Sequence, residues 1–431
     1  MKNISVFQLV VMIVFVAIAG IGLFMFATYS GSSTAVTNGP VVIWGTLPKE
    51  AIDAVIGGGE KNGPFATVSY IQKQPESFVS EYINAAAAGD SPDLLLVSSD
   101  EIMALQHTLS FISYESVPER SFRDAFIDGA QALLSPEGLY AFPVAIDPLV
   151  LYYNRALLSS AGIAEPPRTW EAVGAMVPDL AIVSGGQTVS RAGIALGGYS
   201  NIEHAREILT AFFLQAGVPL ADAKLGGQRN TFLTGGSGVP PAEAALRYYT
   251  AFANPAQTTY TWNSTLPNSR ALFVSGDLAL YIGFGSEYAS LKQANPNLDF
   301  DVARMPQPGT AQTRSTYGTM YVFALPKTSK NPAGALTAAF AFGPTEAARS
   351  FIGAAGTLAP VRRDLIAAGS TNPVRSVVYA EALVARPWLS PDAGTVDAIF
   401  GAMISNVTTG RTRYLEALSA AERALSAAYA E

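Results

Sequence analysis

Cysteine is absent from this chain of 431 residues, and that single gap excludes several chemistries together. There is no disulfide framework, no thiolate zinc site, no cysteine nucleophile and no cysteine to carry a lipid anchor. Histidine is nearly as scarce. His107 and His204 are the only two, which leaves no His-rich metal cluster and passes acid–base work to carboxylates. Charge is sparse as well, with Asp, Glu, Lys and Arg at 14% against about 25% in an average soluble protein. The little there is leans acidic: 27 Lys+Arg against 34 Asp+Glu give a net charge of −7. A nucleic-acid partner, which needs a basic face, is therefore not expected. No motif calls for a metal or a cofactor.

What is abundant is glycine (38), proline (27) and one long apolar run. The first two indicate a loop-rich globular protein, not a coiled coil. The run, LVVMIVFVAIAGIGLFMFA at residues 9–27, has no charge; Lys2 precedes it and the next charged residue is Lys49. It exceeds the roughly 7–15 residues of a signal-peptide core and reaches the roughly 20 that cross a bilayer. Residues 1–28 are expected as an uncleaved membrane anchor in preference to a secretion signal. Lys2 then keeps the short N-terminus cytoplasmic and the bulk of the chain outside. Residues 29–40, small and polar, form a flexible linker.

From residue 41 the text alternates strand and helix. Strands are expected at 41–44, 66–71 and 94–97. Between them lie a helix at 48–56, stopped by Gly57, and one opened by Pro75 that carries Phe78, Val79, Tyr82, Ile83 and Ala86 on one face before Gly89. This βαβαβ pattern predicts a parallel sheet whose ligand cleft lies beyond the carboxyl ends of its strands. Residues 139–153, LYAFPVAIDPLVLYY, hold two prolines in an apolar stretch. Since proline breaks a ladder, this stretch is expected to pass between two sheets instead of lying within one. The segment 166–282 reads as mostly helical, with a capping box at Ser200 and Glu203, a helix opened by Pro240-Pro241, and helix, turn and strand over 270–282. Further strands fall at 300–303 and 319–325, the latter a candidate return crossing, and helices fill the rest up to a last one at 412–429. No fixed-period repeat is visible, which argues against a solenoid.

The strand ends bring together Trp44 and Thr46, Gln72 to Gln74, and Ser99, Asp100 and Glu101. Aromatic rings cover the apolar faces of a sugar, while carboxylates, amides and hydroxyls bind its edge. Trp44 could equally be core, and Ser99 a helix cap. Asp147 stands in an apolar stretch, where an ionised carboxylate is costly without a donor; a cleft position or a structural turn would each explain it. Tyr199 in LGGYSN and Tyr317 in YGTM pair a ring with glycines that let a ligand approach the backbone, or else mark plain turns. GGGEK at 57–61 and GGSG at 235–238 lack the pattern of a phosphate loop. Asp100 and Glu101 are adjacent, which seldom gives the roughly 5–9.5 Å separation that glycoside hydrolysis requires.

Five stretches in order, VVIWGTLPKEAIDAV, FVSEYINAAAAGDSPDLLLVSSDEI, GLYAFPVAIDPLVLYYNRALLSSAGIAEPPRTWEAV, ALFVSGDLALYIGFGSEYASLKQANPNLDFDVARMP and YGTMYVFALPKTSKNPAGA, resemble the extracellular solute-binding proteins of ABC importers. That family includes the maltose- and other sugar-binding proteins. The resemblance implies an α/β, two-lobed, periplasmic-binding-protein type II-like fold, each lobe a doubly wound sheet with flanking helices. It places lobe 1 at 41–146 and 322–370 and lobe 2 at 147–321 and 371–431. It also implies ligand contacts at Asp100 and Asp147, at Phe284 or Ser286, and at the strand edge of Trp44 and Thr46; with Ser99, Tyr199 and Tyr317 these make the candidate site. The expected partners are a small polar solute, a sugar by preference, the membrane subunits of a permease, and the bilayer through residues 9–27, with the protein acting as a monomer and not as an enzyme. Two departures stand out. The lipidated cysteine of many tethered members is missing, and AGTVDAIFGA at 393–402 offers Phe400 but no arginine, so the sugar itself stays open. A carbohydrate-active enzyme using Asp100 and Asp147, or a surface scaffold with a degenerate cleft, are the alternatives.

Overall fold

A computed structural model describes residues 39–57, 63–218, 220 and 239–430. The expected membrane segment at 9–27, most of the linker, GGSG and most of GGGEK lie outside them. Among the described residues no helix is long and apolar enough to cross a membrane. The chain divides after Gly39, and the description below concerns the unit from Pro40 onward.

Its main strands are β1 (Val41–Gly45), β2 (Val68–Gln72), β3 (Leu94–Ser98), β4 (Phe142–Asn154), β5 (Thr188–Ile194), β6 (Leu278–Phe284), β7 (Phe300–Ala303) and β8 (Thr316–Pro326). They lie in the order β2-β1-β3-β8-β4-β6-β5, with β7 paired to the end of β4. The first three are parallel, joined by α1 (Lys49–Ile56) and α2 (Phe78–Ala88), as the βαβαβ pattern requires. Leu94 to Val97 are at most 1% exposed, which is why β3 reads as an unbroken apolar run. The face that α2 buries is narrower than expected. Phe78 and Tyr82 are fully buried, but Ile83 is 45% exposed. Gly89 ends this helix at φ +79, a conformation that glycine adopts without cost.

The proline-bearing stretch departs from expectation. It is one continuous strand of 13 residues, β4, with both prolines inside it. Pro143 and Pro148 face Val322 and Gly318 of β8, and the ladder shifts register beside Pro143, between Tyr321 and Val322. On its other edge β4 pairs through Ala145 and Ile146 with 359–360, and through Leu149 to Tyr153 with β6. On that edge Pro148 falls in the gap between the two partners and Pro143 precedes the first of them, so neither costs a ladder hydrogen bond on that side. The crossing is real in another sense. The first half of β4 joins the β3 side of the sheet and its second half joins the β6 and β7 side.

The middle segment is less helical than expected, because β5 lies within it and pairs parallel with β6. The helices around it are α3 (Ala205–Gln215), α4 (Pro241–Ala251) and α5 (Ser269–Ser275), followed near the end of the chain by α6 (Ala393–Thr408) and α7 (Tyr414–Ala428). No capping box forms at Ser200 and Glu203. The Glu203 carboxylate instead accepts from Asn268 Nδ2 at 2.7 Å, and α3 is preceded by His204, a non-glycine residue at φ +57.

Candidate functional site

At the end of β3 the Ser98 amide donates to Glu101 Oε2 at 3.0 Å, closing a single turn that directs Ser99 and Asp100 inward. Both are buried. The Ser99 hydroxyl accepts from the Met320 amide at 3.1 Å, pinning the turn to β8, so Ser99 is not the helix cap; Ser98 is. Asp100 then accepts from Tyr317 Oη at 2.7 Å and from Arg206 Nη2 at 3.1 Å. Arg206 comes from the first turn of α3 and also donates through Nε to Glu207 at 2.9 Å. Its Nη1 is buried without a hydrogen-bond partner among the described residues. Burial pushes the Asp100 carboxyl up, against the pull of the Arg206 charge and the Tyr317 hydroxyl. Burial also disfavours the Arg206 cation, yet Glu207 and Asp100 more than offset this and hold it charged.

A second node forms where β4 passes β6. Asp147, 3% exposed, accepts from the Ser286 amide at 3.0 Å, and burial raises its carboxyl to about 7. Ser286 lies in the turn Gly285–Glu287, which Glu287 ties together. Glu287 accepts from the Phe284 amide, from Tyr281 Oη and from His204 Nε2, each at 2.8 Å. Burial opposes both charges of this pair. Their mutual hydrogen bond prevails, raising the His204 imidazole and lowering the Glu287 carboxyl. His204 stands edge-on to Phe284 at 4.8 Å between ring centroids, and Phe284 lies 6.3 Å from Tyr317. Through these rings the Asp147 and Asp100 nodes meet.

Three of the expected residues sit apart. Tyr199 donates to Asp397 Oδ1 at 2.7 Å, which fastens its loop to α6. Trp44 is half-buried at the end of β1, with Lys73 Nζ 4.0 Å from its ring centroid, and the Thr46 amide donates to Leu96 O at 3.4 Å. No hydrogen bond or ring contact among the described residues joins Trp44 or Thr46 to either node. Ser99, Asp100, Asp147, Phe284, Ser286 and Tyr317 do belong to the nodes.

Sequence reasoning missed Arg206, Glu207 and Glu287. The signal for the first two lies in the packing: α3 is buried over most of its surface, from Ala205 and Ile208 to Phe213, so a charged pair in its first turn must have internal partners. It also missed a cavity of about 630 Å³. Its walls include Met103, one turn beyond Asp100, with Tyr140, Leu214, Arg314, Arg386 and Trp388. None of the nine expected residues lines it.

A parallel βαβαβ sheet that shares two long strands with a second strand set, with polar side chains meeting at the junction, defines an α/β binding-protein architecture. Residues 45–352 match the family described as bacterial extracellular solute-binding protein, and the chain belongs to that family. A binding protein of Brucella abortus (strain 2308) is 23% identical over 281 residues, covering 63% of this chain and 63% of that one. The aligned stretch thus spans less than two thirds of that relative. In fold the chain is similar to the cyclic alpha-maltosyl-1,6-maltose binding protein from Arthrobacter globiformis, with a TM-score of 0.72 at 17% identity, over 91% of this chain and 99% of that one. It is also similar to an ABC transporter solute-binding protein of Thermotoga lettingae TMO bound with alpha-D-tagatose, with a TM-score of 0.66 at 19% identity, over 91% and 100%. At these identities the likeness is one of fold: α/β, of the two-domain periplasmic-binding-protein kind.

Proposed function

We propose that this protein is the extracytoplasmic substrate-binding subunit of an ABC importer, a monomeric, non-enzymatic receptor that takes a sugar or oligosaccharide between two lobes. The lobes are 41–146 with 322–370, and 147–321 with 371–431. The observation that carries the reading is the meeting of Asp100 from the first with Arg206 from the second, beside a cavity whose walls come from both. The strands β4 and β8 run through both lobes and act as the hinge. A solute that touches both walls only when they are close favours the closed form by its differential affinity.

In this reading Phe284, Tyr317 and Tyr199 offer rings and hydroxyls to the solute, Asp100 and Asp147 take its hydroxyls, and Ser99 and Ser286 hold those carboxylates in place. Trp44 and Thr46 form the rim of the first lobe. The hydrolase alternative has less support, because residues 45–352 match a family of solute-binding proteins. A scaffold with a degenerate cleft has less support beside a cavity of about 630 Å³, within the range of about 300–1,000 Å³ common for ligand pockets. The neighbours in fold bind a cyclic maltosyl-maltose and tagatose, which favours a saccharide here.

The test is small-angle scattering with calorimetry across a panel of mono- and oligosaccharides and polyols. At least one member is expected to give saturable heat together with a smaller radius of gyration; saturable binding without compaction would rule out the hinge. We further propose that residues 9–27 anchor the protein in the membrane. Mass spectrometry of the membrane fraction is expected to find peptides that precede Tyr29, and a mature start between Ala27 and Ala35 would contradict it.

A further inference from the structure

The large cavity differs in chemistry from the two nodes beside it. The nodes are rich in carboxylates: Asp100 and Glu207 in one, Asp147 and Glu287 in the other. The cavity wall contains two guanidinium groups, Arg314 and Arg386, the hydroxyl residues Ser135, Thr313 and Ser315, and, among its described residues, no Asp or Glu. Three carboxylates lie one hydrogen bond behind the wall: Glu137 takes the Ser135 hydroxyl at 3.0 Å, and Glu381 and Asp128 take the two arginines.

Each of the two arginines shares its carboxylate with a second arginine. Fully buried Glu381 is bound by Arg304 Nε at 2.6 Å and by Arg314 Nη2 at 3.1 Å. Asp128 is bound by Arg363 Nη2 at 2.5 Å and by Arg386 Nη2 at 3.5 Å. Two cations to one anion leave a surplus positive charge at both places. Donor capacity is also left over: Arg314 Nε is buried without a partner among the described residues, and the hydrogen bonds of Arg386, to Ala385 O at 3.2 Å and to Asp128 at 3.5 Å, are long. Both side chains remain reachable, at 33% and 37% exposed. Burial and the neighbouring Arg363 both disfavour the Arg386 cation, against the pull of Asp128, so an incoming anion would relieve it.

We propose that the solute carries an anionic group, a carboxylate or a phosphate on a saccharide, and that Arg314 and Arg386 hold it. A guanidinium presents paired donors that match the two oxygens of either group, while Tyr140 and Trp388 in the same wall supply aromatic surface for the ring. The inference rests on the saccharide-binding reading above and adds the charge class of the ligand.

Calorimetry on the full chain with three probes tests it: trigalacturonate for the carboxylate, glucose 6-phosphate for the phosphate and maltotriose as the neutral reference. At least one anionic probe is expected to bind roughly tenfold or more tightly than maltotriose, and to weaken as salt rises. Arg386→Gln is expected to cost that probe about tenfold in affinity and to flatten its salt dependence. Arg314→Gln is expected to do the same, but it also strips a partner from buried Glu381, so Arg386→Gln is the deciding variant. Which anionic arm responds identifies the group. Maltotriose binding as tightly as both anionic probes, or an Arg386→Gln chain with unchanged affinity, overturns the inference and leaves the saccharide reading standing. A cooperatively folded chain that gives no heat with any of the three overturns the inference and counts against that reading as well.

Discussion

Asp147 is a carboxylate 3% exposed, held by Ser286, and its ordinary value of 3.8 is raised by burial to about 7. Below pH 3.8 it is neutral in both folded and unfolded chains. Between 3.8 and about 7 the unfolded chain releases the proton while the folded one keeps it, so stability present at low pH is lost as pH rises through this window. The loss is on the order of 4 kcal/mol by linkage. Asp147→Asn keeps an acceptor for the Ser286 amide and removes the titration. Scanning calorimetry at pH 8 is expected to show the variant melting several degrees higher than the parent, with the gap closing toward pH 4; a lower melting point at pH 8 would refute the account. The same variant is expected to bind its solute less well, the usual exchange of stability for a site. Asp147 was legible in the sequence because a lone acid among apolar residues is conspicuous. Arg206 was not, since only the tertiary packing of α3 shows that its first turn faces inward.

At the scale of elements, legibility followed burial. β3 was plain because its four apolar residues are enclosed on both faces, and α1, α4 and α5 were plain because proline, asparagine or glycine marks their ends. β5 was unread. Its sequence TVSRAGI exposes Thr188 and Ser190, half-buries Arg191 and gains its apolar face only near Ile194, so its period-2 signal is short. β4 was read as a crossing for a sound reason that gave half the answer. Proline does remove a ladder donor, but a strand whose partners change along its length tolerates the loss at the gaps. The capping box failed because Glu203 found a closer donor in Asn268, brought from α5 by the fold. Local patterns cannot anticipate such competition. The cavity was invisible for the same cause, since its wall draws on residues as distant as Met103, Tyr140, Leu214, Arg314 and Trp388.

For the molecule as a whole, the sheet order carries a further meaning. β3 has β1 on one side, but its other neighbour, β8, pairs Ser98 with Tyr321 across about 220 residues of chain. The polypeptide emerging from a ribosome therefore shows an open β3 edge until nearly three quarters of it has been made, and β4 has no strand partner until β6 follows at about two thirds. Such a chain is slow to lock, which would suit the export that the proposed extracytoplasmic role requires. A fragment ending at residue 310 is expected to be digested by protease far faster than the full chain; a resistant fragment would show that the early strands need no late partner. The late arrival of one strand would then keep the nascent protein pliable until most of it has been made.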